Sequence, residues 1–293
     1  MLDLRRVRPV LSIVAALCVV LPASASGAVT VGQTGNTGSS CAGSGYTLLQ
    51  EAVAASPTYV MPTGGVITSW SHAAGSGAFE MRLKVYRRTG VINQFLAAGQ
   101  SGPEEPAPGE FQTFSARVAV NAGDLLGLSI LSGTGNSACL FGTAAAGDRT
   151  RQALGDPPVG STVSGPWNDS GSLRLNISAL LEPDADLDGF GDETQDKCPT
   201  DPSKQGDCTP PKTTITKGAP KKTKKHKVKF KFKSSESGSS FECKLDKKKF
   251  KPCRSPKKYK RLKKGKHKFK VRAMDAAGNT DPSPAKDKFK VVR

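Results

Sequence analysis

Histidine is nearly missing from this chain: its 293 residues include 3 His, 2 Trp and 4 Tyr. So few imidazoles leave no material for a His-based metal cage. No Cys-x-x-Cys spacing occurs and no His accompanies a cysteine pair, which removes the zinc reading of the sulfur. A nucleophile elbow, a Gly-rich phosphate loop and paired histidines are all missing from the first half, so no common catalytic constellation is on offer. Beyond Leu21 no apolar run approaches the ~20 residues that cross a bilayer. Helix-length amphipathic patterns are also scarce, Leu48 to Ala55 being the one candidate. Acid is short as well. Against 43 Lys and Arg stand 25 Asp and Glu, a net charge of +18. The excess is segregated: 30 of the 43 basic but 6 of the 25 acidic residues lie from Lys212 onward. A mildly acidic body therefore carries a strongly cationic C-terminal domain.

The length predicts about two domains with room for a smaller unit. Arg5, Arg6 and Arg8, the apolar stretch Val10 to Leu21, and Ala23-Ser24-Ala25 followed by Ser26-Gly27-Ala28 have the layout of a secretory signal over residues 1–28, cleaved after residue 25 or 28. The expected location is outside the cytoplasm, with no transmembrane segment. Removing Cys18 with the signal leaves Cys41, Cys139, Cys198, Cys208, Cys243 and Cys253. Six cysteines in an exported chain read as disulfides, with 15 connectivities in principle. Proximity favours one bridge per composition block: Cys41 with Cys139, Cys198 with Cys208, and Cys243 with Cys253.

Residues 29–181 read as an all-β sandwich, jelly-roll-like. Phe79 to Val85 and Leu173 to Ile177 alternate apolar and polar side chains, the mark of half-buried strands. Gly65 to Trp70, Phe111 to Val120 and Asp124 to Leu131 are further strands between Gly/Pro/Ser clusters. Glu80, Glu104, Glu105 and Glu110 are the carboxylates from which a glycosidase pair would come. Glu104 and Glu105 sit in a Pro-rich loop, and no catalysis is expected. Trp70 is expected in the core, Trp70 and Trp167 being the alternative platforms for a sugar ring, and His72 in a turn.

Residues 182–209 carry the most specific pattern. Asp184, Asp186 and Asp188 alternate, Gly189 permits a sharp reversal, the Phe190 carbonyl follows, and Asp192 and Asp196 complete the set. Alternate carboxylates in a tight turn aim at one point, and six to eight oxygens at about 2.3–2.6 Å are what Ca²⁺ takes. The stretch from Asp184 to Cys208 resembles a thrombospondin type-3 repeat, D-x-D-x-D-G-x-x-D followed by Asp and Cys-Pro. The resemblance implies Ca²⁺ on Asp184, Asp186, Asp188 and Asp192, and a disulfide tying down the tail. The chain departs from the repeat where Gln195 replaces the next Asp, so the last ligand is either Gln195 or Asp196.

Residues 210–293 read as a small lysine-coated β-sandwich. Val228 to Lys233, His267 to Arg272 and Lys286 to Val291 alternate apolar with basic residues. Period two sends Phe230, Phe232, Phe269 and Val271 inward and Lys227, Lys229, Lys231, Lys233, Lys268 and Lys270 to one outer, polyanion-binding face. His226 and His267 fall at strand ends. Thr213 to Thr216, Phe241-Glu-Cys243, Pro252-Cys253 and Val271 to Asn279 resemble a bacterial immunoglobulin-like repeat. That resemblance implies a seven-strand-like sandwich with a Cys243–Cys253 bridge, used as a spacer or adhesion module. The lysine load departs from it.

The functional expectation is a secreted, non-catalytic modular surface or matrix protein, with Ca²⁺ ordering its linker and a cationic domain binding anionic surface polymers. Lysine is suited to diffuse, salt-sensitive attraction, and exposed aromatics for base stacking are lacking, so sequence-specific nucleic-acid reading is not expected. The alternatives are a glycan-binding or glycan-hydrolysing head, or nonspecific DNA binding.

Overall fold

The computed structural model describes residues 27–35, 43–143 and 145–293. The expected signal and Cys41 fall outside these residues, apart from Gly27 and Ala28 at the end of the signal. The described chain is all-β.

The N-terminal domain packs two principal antiparallel sheets. One holds Val29–Gln33, Ile177–Glu182, Gly65–Ala73 and Phe111–Val120 in that order. The other runs Thr162–Val163, Phe95–Gln100, Ala78–Arg88, Leu125–Thr134, Tyr46–Ala52, Arg149–Leu154 and Asn168–Gly171. Most spatial neighbours are far apart in sequence, so the chain crosses repeatedly between sheets. The core between them includes Trp70, Ile67, Leu83, Leu128 and Ile177. A large aliphatic or aromatic side chain buried this way contributes roughly 1.5–3 kcal/mol.

Three sequence expectations change here. Leu48 to Ala55 is not a helix: Tyr46–Ala52 is a central strand. Leu48 belongs to the main core and Leu49 to a second apolar cluster with Tyr86, Phe95 and Leu125. A strand covered on both faces loses its alternation and mimics a helical pattern. His72 is not in a turn; it is fully buried within Gly65–Ala73, with Nδ1 2.6 Å from the Asn176 carbonyl and Nε2 3.1 Å from that of Ser137. Leu173 to Ile177 is not one strand, because Asn176 interrupts it. The Asn176 amide donates to the carbonyls of Ala73 and Ala138 and its oxygen accepts from Gly35 N–H. Leu173–Leu175 therefore pairs with Leu140–Gly142 before Ile177–Glu182 joins the four-stranded sheet.

Three buried cations, Lys84, Arg151 and Arg174, are held by acceptors, Arg151 by Glu51 and Asn93. Lys84 lies 3.0 Å from Asp156 and donates to the Gln100 side chain and the Pro157 carbonyl. Arg174 grips Asp148 through Nε at 2.8 Å and a second nitrogen at 3.1 Å, and donates also to Gln33 and the Ala55 carbonyl.

The C-terminal domain packs Thr213–Lys217, Val228–Ser234 and Lys257–Tyr259 against a sheet of Lys222–Thr223, Ala285–Val291, Gly265–Met274, Ser240–Leu245 and Lys251–Cys253. Phe230 stacks on Phe269 with ring centroids 4.0 Å apart, and Phe232, Val271 and Phe289 fill the same core. The inward positions follow the alternation. The outward ones correct it: Lys229, Lys231 and Lys233 leave one sheet while Lys268 and Lys270 leave the other. Because the inner sides of the two sheets face each other, the expected single lysine face becomes two opposite faces.

Cys198–Cys208 and Cys243–Cys253 are bonded, with Cα atoms 5.3 and 5.8 Å apart. Cys139 is buried and disulfide-bonded. Such bridges fit an oxidising compartment. Among the described residues no helix is long and apolar enough to cross a membrane.

Candidate metal centre

Between the domains, residues 183–209 form a loop whose backbone is shaped by its own acids. Asp184 accepts the N–H groups of Asp188 (3.1 Å) and Gly189 (3.0 Å), and Asp188 accepts that of Phe190 (2.9 Å). Gly189 has φ of +84°, the left-handed conformation that a side chain disfavours, which makes the expected reversal. Asp192 accepts Ala185 N–H on both oxygens at 3.2 Å.

These turns bring the carboxylates together. Asp184, Asp186 and Asp188 offer oxygens within 4.8 Å of one another. Two oxygens that each touch one Ca²⁺ at about 2.4 Å are separated by no more than about 4.8 Å. Both carboxylate oxygens of Asp186 are shielded from water yet have no hydrogen-bond partner, and the same holds for Asp196 Oδ2. Carboxylates stripped of water without a donor are costly. Desolvation first, then the charges of Asp188, Asp196 and Asp184, push the Asp186 carboxyl above its ordinary range against the opposing pull of the nearby Asp188 N–H. Asp192 is pushed up likewise, by desolvation and by Asp184, Asp186 and Asp196, against the Ala185 hydrogen bond. Orphaned oxygens surrounded by like charge fit a hard divalent cation, which would supply the missing counter-charge.

The structure also separates the two residues left open for the last position. Gln195 turns its amide to the Ala116 carbonyl at 2.8 Å. Asp196 is nearly fully buried; Oδ1 takes Cys198 N–H, while Oδ2 is one of the orphans. Asp196 is the better candidate.

The loop is docked on the N-terminal domain by a residue the sequence did not mark. Glu182, fully buried at the end of its strand, accepts from the hydroxyls of Thr68 (2.8 Å) and Thr194 (2.7 Å) and from Thr194 and Glu193 N–H. Burial would raise its carboxyl, but these donors outweigh it and hold the group below its usual range. Gly191 is required beside it, since a Cβ there would stand 2.5 Å from Glu182 Oε2. Arg117 lies over the Phe190 ring at 4.3 Å, a second clamp from the same domain. Glu182→Gln presents an amide N–H to donors and should cost roughly 1–3 kcal/mol. The expected result is a lower urea midpoint together with weaker calcium binding in calorimetry; unchanged values for both would remove Glu182 as the anchor.

A second acidic trio, Asp207, Glu236 and Asp275, also lies within 4.8 Å. There Asp275 is already satisfied on both oxygens by Asn279, whose amide also donates to the Asp207 carbonyl. It is the Asn279 amide, through the Asp207 carbonyl, that ties the loop to the C-terminal domain.

The remaining candidates are dispersed. Glu80 accepts Ser132 at 3.3 Å, the Glu104 backbone bridges Met81, and Glu105 and Glu110 are exposed. Trp70 is core, as expected. Trp167 packs edge-on to Phe95 and donates to the Asn93 carbonyl, which makes it a cover for the second apolar cluster. His267 stacks on Phe289 and meets Asp246 at 2.9 Å; His226 Nδ1 lies 2.5 Å from the Leu262 carbonyl.

No family model matches the chain, and no curated protein does. Among solved structures, a β-1,2-glucanase from Parabacteroides distasonis aligns over 85% of this chain and 30% of its own, with 11% identity and a TM-score of 0.20. A β-D-glucuronidase from Dictyoglomus thermophilum aligns over 92% and 45%, with 10% identity and a TM-score of 0.17. The chain thus spans less than half the length of either protein, and at those scores neither likeness bears on fold or activity.

Proposed function

We propose that this chain is a secreted, non-catalytic modular protein of the cell surface or extracellular matrix, serving adhesion. Its Ca²⁺-ordered linker joins a β-sandwich head to a cationic domain that holds anionic surface polymers. The observation that carries the reading is the arrangement of charge on the C-terminal domain. Across the five-stranded sheet Lys222 faces Lys290, Lys290 faces Lys266, Lys288 faces Lys268, and Lys270 lies between Lys286 and Lys244. Like charges directly opposite each other destabilise a sheet. The Lys270 ammonium is accordingly pushed below its ordinary range, first by Lys268 and then, with burial, by Lys244 and Lys286. Arg272 with Glu242 is the compensated exception. A surface that costs its own domain stability in this way is relieved by an external polyanion.

The linker supports the same reading, with Asp184, Asp186, Asp188, Asp192, Asp196 and the Phe190 carbonyl as the proposed Ca²⁺ ligands. The resemblance to thrombospondin type-3 and immunoglobulin-like repeats agrees with a spacer that is ordered by calcium. Retention of the full chain on an anionic polymer column should fall steeply as salt rises, because the Debye length shrinks to about 3 Å at 1 M. Retention that survives molar salt, or no retention at low salt, would defeat the proposal.

A further inference from the structure

We infer that the polyanion sits in the groove beside the strand pair Val228–Ser234 and Lys257–Tyr259, and that it is a linear chain of phosphate groups. This deepens the polyanion-binding reading above and rests on it. Lys229 lies directly opposite Lys258 in the antiparallel register, and Lys227 and Lys260 follow immediately beyond the Val228–Tyr259 pair. With Lys225 they line a hollow of about 370 Å³ whose remaining walls are Val228 and Tyr259. A second hollow of about 350 Å³ shares Lys225, Lys227 and Lys260 and continues past His226 to Arg261. No acidic side chain lines either one.

Size and continuity separate this groove from the rest of the lysine surface, where the recess lined by Lys244, Lys248, Lys249, Lys251 and Lys257 is a single hollow of about 210 Å³. Cationic groups converging on a low-dielectric recess reinforce one field, whereas those on a flat face point separately into water. On the five-stranded face, Arg272 is paired with Glu242, and both Arg272 and Lys244 rest over the Phe250 ring at 4.4 and 4.8 Å. The groove wall is fixed. Tyr259 packs edge-on to Phe230 and Phe269, at 6.2 and 5.9 Å, and Lys257 lies over its ring at 5.9 Å.

The lining selects the ligand. Ammonium groups are compact, hydrated point charges without the planar fork that reads a particular shape. Apart from the Tyr259 hydroxyl and His226, the lining has no neutral polar group for sugar hydroxyls, and it has no carboxylate. The Tyr259 ring is engaged by Lys257 and the core, and the His226 ring is held on the Leu262 carbonyl, so no stacking platform for bases is free. Two joined hollows suit a chain of charges better than a single ion. What is left is recognition of dense, repeating negative charge, which a phosphate chain supplies.

The test titrates inorganic polyphosphate into the full chain by calorimetry at several salt concentrations. Polygalacturonate and a single-stranded oligonucleotide of equal charge serve as comparisons. A groove variant, Lys227→Gln with Lys229→Gln and Lys258→Gln, is set against a control, Lys212→Gln with Lys217→Gln and Lys247→Gln, which removes the same charge from exposed positions outside both the groove and the opposed-lysine sheet. The groove variant should weaken polyphosphate roughly tenfold or more and lower the log–log salt slope by about two, while the control variant leaves both nearly unchanged. The groove variant's melting temperature should not fall, because removing opposed like charges relieves the sheet. Equal losses from the two variants would refute the groove while leaving the polyanion reading intact. Equal affinity for polygalacturonate or the oligonucleotide would refute the phosphate assignment. A parent chain that binds none of the three polymers would refute the function beneath it.

Discussion

Asp186→Asn is expected to weaken calcium binding at least tenfold and, in the same protein, to raise stability when calcium is chelated. The opposite signs follow from the unpartnered oxygens of Asp186 among Asp184, Asp188 and Asp196. Without an ion, that carboxylate adds repulsion and receives no hydrogen bond, so an uncharged isostere relieves the loop. With an ion, the same carboxylate is a ligand and its loss is felt directly. At a calcium concentration 100-fold above Kd, binding stabilises the parent by about 2.7 kcal/mol, and a tenfold weakening removes about 1.3 kcal/mol of that. Melting curves in chelator and in calcium should therefore rank parent and variant in opposite orders, and calorimetry should report the affinity change. If parent and variant keep the same order in both buffers, or if calcium moves neither, these acids do not form the metal site.

Arg174→Ala is expected to destabilise the N-terminal domain by about 3–5 kcal/mol, because it strands a buried carboxylate. Burial opposes ionisation of Asp148, but the Arg174 guanidinium, the Thr143 hydroxyl and the Ala54 N–H outweigh it and hold the carboxyl down to about 2, against an ordinary 3.8. A carboxyl whose folded value is depressed stabilises the fold above its unfolded value and loses that contribution as pH falls through the folded one. The window is thus pH 4 down to pH 2, and the shift corresponds to about 2 kcal/mol. In the parent, acid unfolding should steepen within that window. In Arg174→Ala the guanidinium no longer offsets burial, so the acid limb should begin at higher pH. A urea midpoint close to the parent's, with the acid limb unmoved, would show that the pair contributes little.

The fold of the acidic loop was the most legible part of the chain, since carboxylates at every second residue before a glycine encode its turns locally. Which of Gln195 and Asp196 turns inward was not legible, because the choice is made by Ala116 in a distant strand. Glu182 was invisible for the same reason: its partners Thr68 and Thr194 lie 114 and 12 residues away. The inward pattern of the C-terminal strands was readable from period two alone, but alternation fixes only sides of a strand. That Lys229 and Lys268 end on opposite faces depends on Phe230 meeting Phe269 across the core. Lys84 shows the converse failure. Alternation puts it on an outer side that looks solvated, yet Asp156, Gln100 and Pro157 enclose it.

The placement of Ile177–Glu182 has a mechanical consequence. This last strand of the head is hydrogen-bonded on both flanks, to Val29–Gln33 and to Gly65–Ala73, and runs straight into the linker. If the lysine-rich end grips a fixed substratum while the head is dragged by flow, tension enters along the strand's own axis. Both ladders must then slide together, a shearing mode that resists far more load than peeling bonds one at a time. The hydrogen bonds that hold Glu182 to Thr68, Glu193 and Thr194 would pass that load from the linker directly into the sheet.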